Sequence, residues 1–430
     1  DWASAVLPGD PPEHPFLQYG RAEDWSVVTS VSLYTCTLEN VSPSIPLPTT
    51  ETTGFRDAVL WLPFATATAG SVPLRRDFGH DLRIDGWMER AEAVVVAFDQ
   101  SGAQYAELAM GREDSQNLTA RVETLRRSFA LRYLEEDALG VPWPGVAYPP
   151  EARLTFRSEY AVPFAPGVDL ETDPDGNPAK RLVREVTGGR DPRDVVGQAG
   201  FAKLLTAAVI ERVTPEAQGF VLSAGVGGEV STSVFVDTWT RPLLPTAGWD
   251  AIRSGRGTEL DLVYALVAVL REAGIPARLV AGVRVLNQET GDDDVFGVEQ
   301  IITAWAEFYL MDERRPILDD AGDVIGYAGG WIPIDIIRQR NEFAPVPRLD
   351  QPWRYFGNHD EMHLYVPLAF HLVPPTTTAW FGPPAFYGFA SFPTIPGCGT
   401  HGFAFDARQP ARDLSGYRFT VGSPPSGAGR

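Results

Sequence analysis

Two carboxylates stand where this sequence could do acid–base chemistry. Glu259 opens a run in which Leu260, Val263, Tyr264, Val267 and Leu270 recur at three- and four-residue steps, the period of a helix with one face in a core. Thr258 precedes it and Asp261 follows three residues after Thr258, close to a capping box. At a helix N-terminus the partial positive charge favours a carboxylate by about 0.3–1 kcal/mol, so Glu259 reads as a first-turn acid that stabilises its helix and serves poorly as a base. The second carboxylate, Asp335, closes the strand-like segment Trp331-Ile332-Pro333-Ile334-Asp335, where it can hydrogen-bond backbone or Thr303. Thr303 itself lies in Ile301 to Leu310, a run of β-branched and aromatic residues that predicts a buried strand.

Other spacings lead to weaker chemistry. His359 and His363 have the i, i+4 step of a zinc helix, but their flanks, Phe-Gly-Asn before and Leu-Tyr-Val-Pro after, predict a turn and a strand. Asp173-Pro174-Asp175-Gly176-Asn177 begins like a calcium loop, yet its twelfth position is Arg184 and not a bidentate Glu. There is no phosphate-binding glycine loop and no CxxC pair. The expectation is therefore no metal and no cofactor. Cys36 and Cys398 are the only cysteines, far apart in sequence; a disulfide between them would suit an oxidising compartment, and two cysteines alone do not establish it.

Taken together, Gly274-Ile275-Pro276-Ala277-Arg278, Thr303-Ala304-Trp305-Ala306-Glu307 and Trp331 to Asp335 resemble the core of the bacterial type of the transglutaminase-like, papain-related superfamily. The resemblance implies a Cys-His-Asp triad: Cys in a Gly-x-Cys opening the helix, His at the head of HAWxE, Asp at the end of WxPxD. Glu259 follows Gly257 by two residues and precedes Gly274 by fifteen, the register of the Cys, and Thr303 occupies the His position. Only Asp335 remains. A thiol nucleophile needs a populated thiolate and a base, which neither replacement provides, so the resemblance implies a pseudoenzyme. If its cleft is used for binding, Trp305, Trp331 and Asp335 line it.

Stepping outward to the elements, the sequence predicts an α+β protein in three parts. Residues 1–165 read as mainly β, with strands flanking the turn Asp99-Gln100-Ser101-Gly102, and resemble the β-sandwich that precedes such cores. Residues 166–345 form the core, with helices over Asp191 to Val213 and Glu259 to Ala273 and strands over Leu279 to Val285, Ile301 to Leu310 and Gly330 to Ile336: one helix on an antiparallel sheet. Residues 346–430 are aromatic and rich in Pro and Gly, predicting a C-terminal extension of short strands and loops.

Composition then narrows the function classes. A net charge of −20 disfavours nucleic acid, whose phosphates most of the surface would repel. No apolar run is long enough to span a membrane. The expected role is a non-catalytic one, binding a protein partner or self-assembling in an extracytoplasmic complex: periplasmic, cell-surface or secreted. The alternative is a hydrolase of cell-wall peptide or glycan that uses Glu259 or Asp335 as general base.

Overall fold

The computed structural model describes residues 11, 13–34, 59–64, 67–74, 82–86, 92–97, 104–109, 117–153, 176–215, 248–286, 299–343, 345–370 and 402–408. In chain order these form strands β1 (Leu17–Tyr34), β2 (Val59–Phe64), β3 (Ser71–Pro73), β4 (Leu82–Gly86), β5 (Glu92–Ala97), β6 (Gln104–Ala109) and β7 (Asn117–Tyr133), then helices α1 (Glu135–Leu139), α2 (Pro150–Arg153), α3 (Pro178–Thr187) and α4 (Gln198–Arg212). There follow β8 (Thr214–Pro215), α5 (Gly248–Ser254), β9 (Arg256–Gly257), α6 (Glu259–Glu272), β10 (Ala277–Leu286), β11 (Glu299–Leu318), β12 (Val324–Ile334), α7 (Ile336–Glu342), β13 (Tyr365–Phe370) and β14 (Gly402–Arg408). The fold is mixed α+β.

Helix α6 is the centre of the core. Leu262 through Leu270 are all 0% exposed, because α3, α4, α5 and α7 pack on it in addition to β10 and β11. The expectation of an amphipathic helix with one buried face is corrected: Leu262, Ala265, Leu266 and Val269 fill the faces between the periodic positions, and a helix apolar all round is a buried one. Full burial of each Leu or Val contributes roughly 1.5–3 kcal/mol. Past α6, Gly274 takes φ +80, a left-handed value that ends the helix and turns the chain through Ile275 and Pro276 into β10.

The core sheet is antiparallel in the order β12-β11-β10-β13. Its register sets Thr303 opposite Gly282 and Trp305 opposite Val280, while Ala306 pairs with Leu279 on one side and Ile334 on the other. The turn Asp319 to Asp323 joins β11 to β12. The fourth strand, β13, comes from beyond residue 345.

N-terminal to the core, β14-β1-β7-β3 form one antiparallel sheet with β4 also on β7, and β2-β6-β5 form another. Strands β5 and β6 pair in hairpin register, Ala97 opposite Gln104, across the predicted turn. Strand β14 pairs with β1, so the C-terminal region returns to the N-terminal sheet. Cys36, Cys398 and the Asp173 to Asp175 carboxylates lie outside the described residues.

Candidate functional site

Glu259 sits at the head of α6, as its sequence context predicts. Thr258 is the N-cap: its Oγ1 accepts the Asp261 N–H at 3.2 Å, and Asp261 Oδ2 accepts the Thr258 N–H at 2.8 Å, completing the capping box. The Glu259 side chain points outward and is exposed; its Oε1 accepts from Asn341 Nδ2 at 2.9 Å. Beside it lies Arg340, 7% exposed, whose guanidinium burial lowers below the usual range while the charge of Glu259 acts to raise it. The place assigned to a nucleophile thus holds a carboxylate fixed by α7.

Asp335 has the opposite environment. It is 2% exposed and caps α7, with Oδ1 accepting the Arg338 N–H at 3.0 Å. Its Oδ2 accepts from the Tyr365 hydroxyl at 2.9 Å and lies 3.2 Å from His359 Nε2. Because Oδ2 is an acceptor there, Nε2 is the donor, and the buried Nδ1 has no hydrogen-bond partner among the described residues. Burial acts to raise the Asp335 carboxyl, but the His359 bond and charge, the Arg338 N–H and the Tyr365 hydroxyl outweigh it and hold it below the usual carboxylate range. Burial, then the Asp335 charge, pushes the Tyr365 hydroxyl up, so it stays a donor.

The expectation that Asp335 has no imidazole beside it is therefore corrected. The imidazole comes not from β11 but from the segment Tyr355 to His359, clamped between backbone bonds from Asp335 N–H to Tyr355 O, Gly357 N–H to Pro333 O and His359 N–H to Leu131 O. Gly357 makes that route feasible: its φ is +71, and a Cβ there would fall 2.3 Å from the Tyr133 ring. His359 is 1% exposed, packed between the rings of Tyr355 and Tyr365. His363, in the 3-10 turn Met362–Leu364, directs Nδ1 to the Asp360 carbonyl instead. The two histidines serve different partners.

Thr303 is half-buried in β11, and the partners of Asp335 among the described residues are His359, Tyr365 and Arg338. The structure brings Trp305 and Trp331 to opposite ends of a buried ion pair. Glu307, 0% exposed, accepts Arg278 Nε and Nη2 on Oε2 at 2.8 and 2.6 Å, and the Ala69 N–H and Trp305 Nε1 on Oε1 at 2.9 and 3.3 Å. Burial lowers Arg278, and the Glu307 charge and bonds act to raise it. Its guanidinium lies 4.1 Å above the Trp331 ring. Trp305 is 1% exposed and meets Tyr365 edge-on, whereas Trp331 is half-buried. Arg278 and Glu307, which local sequence signals single out only as motif members, are the charged centre that ties residues 67–69 to the core sheet.

No helix among the described residues is long and apolar enough to cross a membrane. No curated protein matches the chain by sequence. Among solved structures, a candidate cysteine protease from Cytophaga hutchinsonii is 11% identical, with 91% of this chain and 100% of that chain covered and a TM-score of 0.38. A candidate protease from Parabacteroides distasonis is 11% identical over 69% of this chain and 56% of its own, at a TM-score of 0.21. The periplasmic domain of TgpA from Pseudomonas aeruginosa is 13% identical over 76% and 93%, at 0.26. The family comparison is specific: residues 230–336 match the transglutaminase-like superfamily, a stretch that contains Glu259, Thr303 and Asp335 and ends before His359. That segment is what the chain has in common with the transglutaminase-like superfamily.

Proposed function

We propose that this is a non-catalytic transglutaminase-like protein that binds a protein partner or builds an assembly in an extracytoplasmic complex. The observation that carries the reading is the burial of Asp335. Its two oxygens are taken up by Arg338, Tyr365 and His359 at 2% exposure, while Glu259 is exposed and held by Asn341. A hydrolase of cell-wall peptide or glycan would need a carboxylate open to water with its pKa raised toward neutrality. Asp335 has the reverse: it is shielded and its carboxyl is held low. We further infer that the strands of residues 1–165, in the sheets β14-β1-β7-β3 and β2-β6-β5, form the layers of a β-sandwich that β14 joins from the C-terminal region.

Of the expected binding residues, Trp331 is the one with surface to offer, half-buried and stacked on Arg278, while Trp305 and Asp335 are buried. Two measurements test the reading. The purified chain is expected to show no thiol-dependent acyl transfer and no peptide or glycan hydrolysis; robust turnover abolished by Glu259→Ala would falsify it. Partners retained by the wild type from the native envelope should be lost with Trp331→Ala while the melting midpoint stays within a few degrees. Unchanged retention would remove Trp331 from the binding surface.

A further inference from the structure

We propose that the β11–β12 hairpin is a dimerisation arm, through which two copies of this chain pair edge to edge, antiparallel, along β12. The hairpin outruns the core. From Glu313 on, every residue of β11 is half-buried or exposed, and four of the eight large aliphatic side chains exposed among the described residues lie here: Ile317, Leu318, Val324 and Ile325. Val324 and Ile325 are 53% and 66% exposed. The base of the arm is anchored, since Glu313 Oε2 accepts the Gly145 N–H at 2.7 Å and Arg314 Nε donates to Asp312 Oδ1 at 2.8 Å. The turn at its tip is closed by Asp319 Oδ1, which accepts the Ala321 and Asp323 N–H groups at 2.9 and 2.8 Å.

Strand β12 is an edge of the core sheet, and among the described residues no strand pairs along its outer side. Its inner end is covered, by Phe356 bridged to Ile334 and by His14 packed over Gly330. The opposite edge strand, β13, packs against β2. From Val324 to Gly329 the edge of β12 carries no charged residue and no proline, the devices by which an exposed strand avoids pairing with another chain. Pairing with a second β12 satisfies those backbone groups and covers the aliphatic side chains beside them.

Charge selects a second copy as the occupant and antiparallel as the direction. The register jumps from Asp312 opposite Ala328 to Pro316 opposite Tyr327, so Arg314 and Arg315 bulge at the base of the arm, while Asp319, Asp320 and Asp323 stand at its tip. Two such arms laid antiparallel set each acidic tip against the other's basic base, the self-complementarity that a two-fold interface requires. Laid parallel, they set like charges together. Two chains of net charge −20 repel at long range, so this local match of opposite sign decides where they meet. Residues 313–328 are sixteen, against the roughly 20–30 per side of a stable interface, which makes the dimer a weak, concentration-dependent one. This inference rests on the assembly branch of the proposed function and names its partner. Its test reads mass, so turnover that sank the non-catalytic reading would leave it standing, and a monomeric chain would leave that reading its partner-binding branch.

Sedimentation velocity of the full chain follows its mass from about 1 to 500 μM, because an interface at the small end of the range dissociates at micromolar concentrations. The wild type is expected to pass from monomer to dimer across the series. Ile325→Lys should weaken the dimer by about tenfold or more, since the two-fold axis brings the charge in twice, and leave the melting midpoint unmoved, since the side chain is exposed. Arg315→Asp and Asp320→Arg should each weaken the dimer alone, and an equimolar mixture of the two should restore it, as each partner then meets its opposite charge. A wild type monomeric throughout the series overturns the proposal, whatever other protein the arm retains. A dimer that Ile325→Lys leaves intact overturns it by placing the contact on another face, and a mixture no stronger than either variant alone overturns the antiparallel arrangement.

Discussion

At the scale of single residues, the positions that carry the family likeness have structural partners. Glu307 receives Arg278, Trp305 and the Ala69 N–H while fully buried, so it ties the core sheet to the turn that leads into β3. Removing one member of a buried ion pair leaves the other charge uncompensated, at a cost of about 3–5 kcal/mol. Glu307→Gln keeps the shape and two of the donors but strands the Arg278 guanidinium. It should lower the unfolding free energy by that amount in urea titration. Charge removal at Glu307 that left stability unchanged would mean the pair contributes nothing net, with the Trp331 ring and the Ala67 carbonyl sufficient for Arg278.

At the scale of elements, α6 shows how far local sequence reaches. Its start, its cap and its end at Gly274 were all legible, since each depends on residues within one turn. Thr258→Ala should therefore cost about 1 kcal/mol, read from the denaturation midpoint, and a neutral result would show that Asp261 alone sustains the cap. The short helix α7 was not legible. Ile336 and Ile337 are β-branched, and by propensity they extend the strand that ends at Ile334. What overrides them is Asp335, whose carboxylate caps the Arg338 N–H, a signal that Asp before an apolar pair gives only weakly. The helices α3 and α5 around α6 were missed as well, so the core reads in sequence as one helix on a sheet and in space as a helix enclosed. The His359 partner of Asp335 lies 24 residues on and arrives through a turn at Gly357, a non-local contact that no period or cap announces.

At the scale of the whole molecule, burial of ionisable groups sets how the fold responds to acid. The His14 ring packs over Gly330 of β12, where any Cβ would collide with it, and so fastens the chain's N-terminal segment to the edge of the core sheet. Burial lowers this imidazole to about 4, against the raising effect of the Trp331 backbone. An unfolded His takes up its proton near pH 6.5 and the folded one resists to about 4, so the stability His14 contributes is complete above the first value and lost as pH falls to the second. That depression corresponds to about 3 kcal/mol. Asp335, held low in the fold, adds a second loss only below the ordinary carboxylate range, as its proton enters the His359 and Tyr365 cluster. Urea midpoints should therefore fall in the wild type between pH 6.5 and 4, and His14→Gln should flatten that first slope while keeping the drop at lower pH. Equal slopes in the two proteins would place the acid sensitivity elsewhere and release the N-terminal segment from its assigned role as the fastening of the sheet edge.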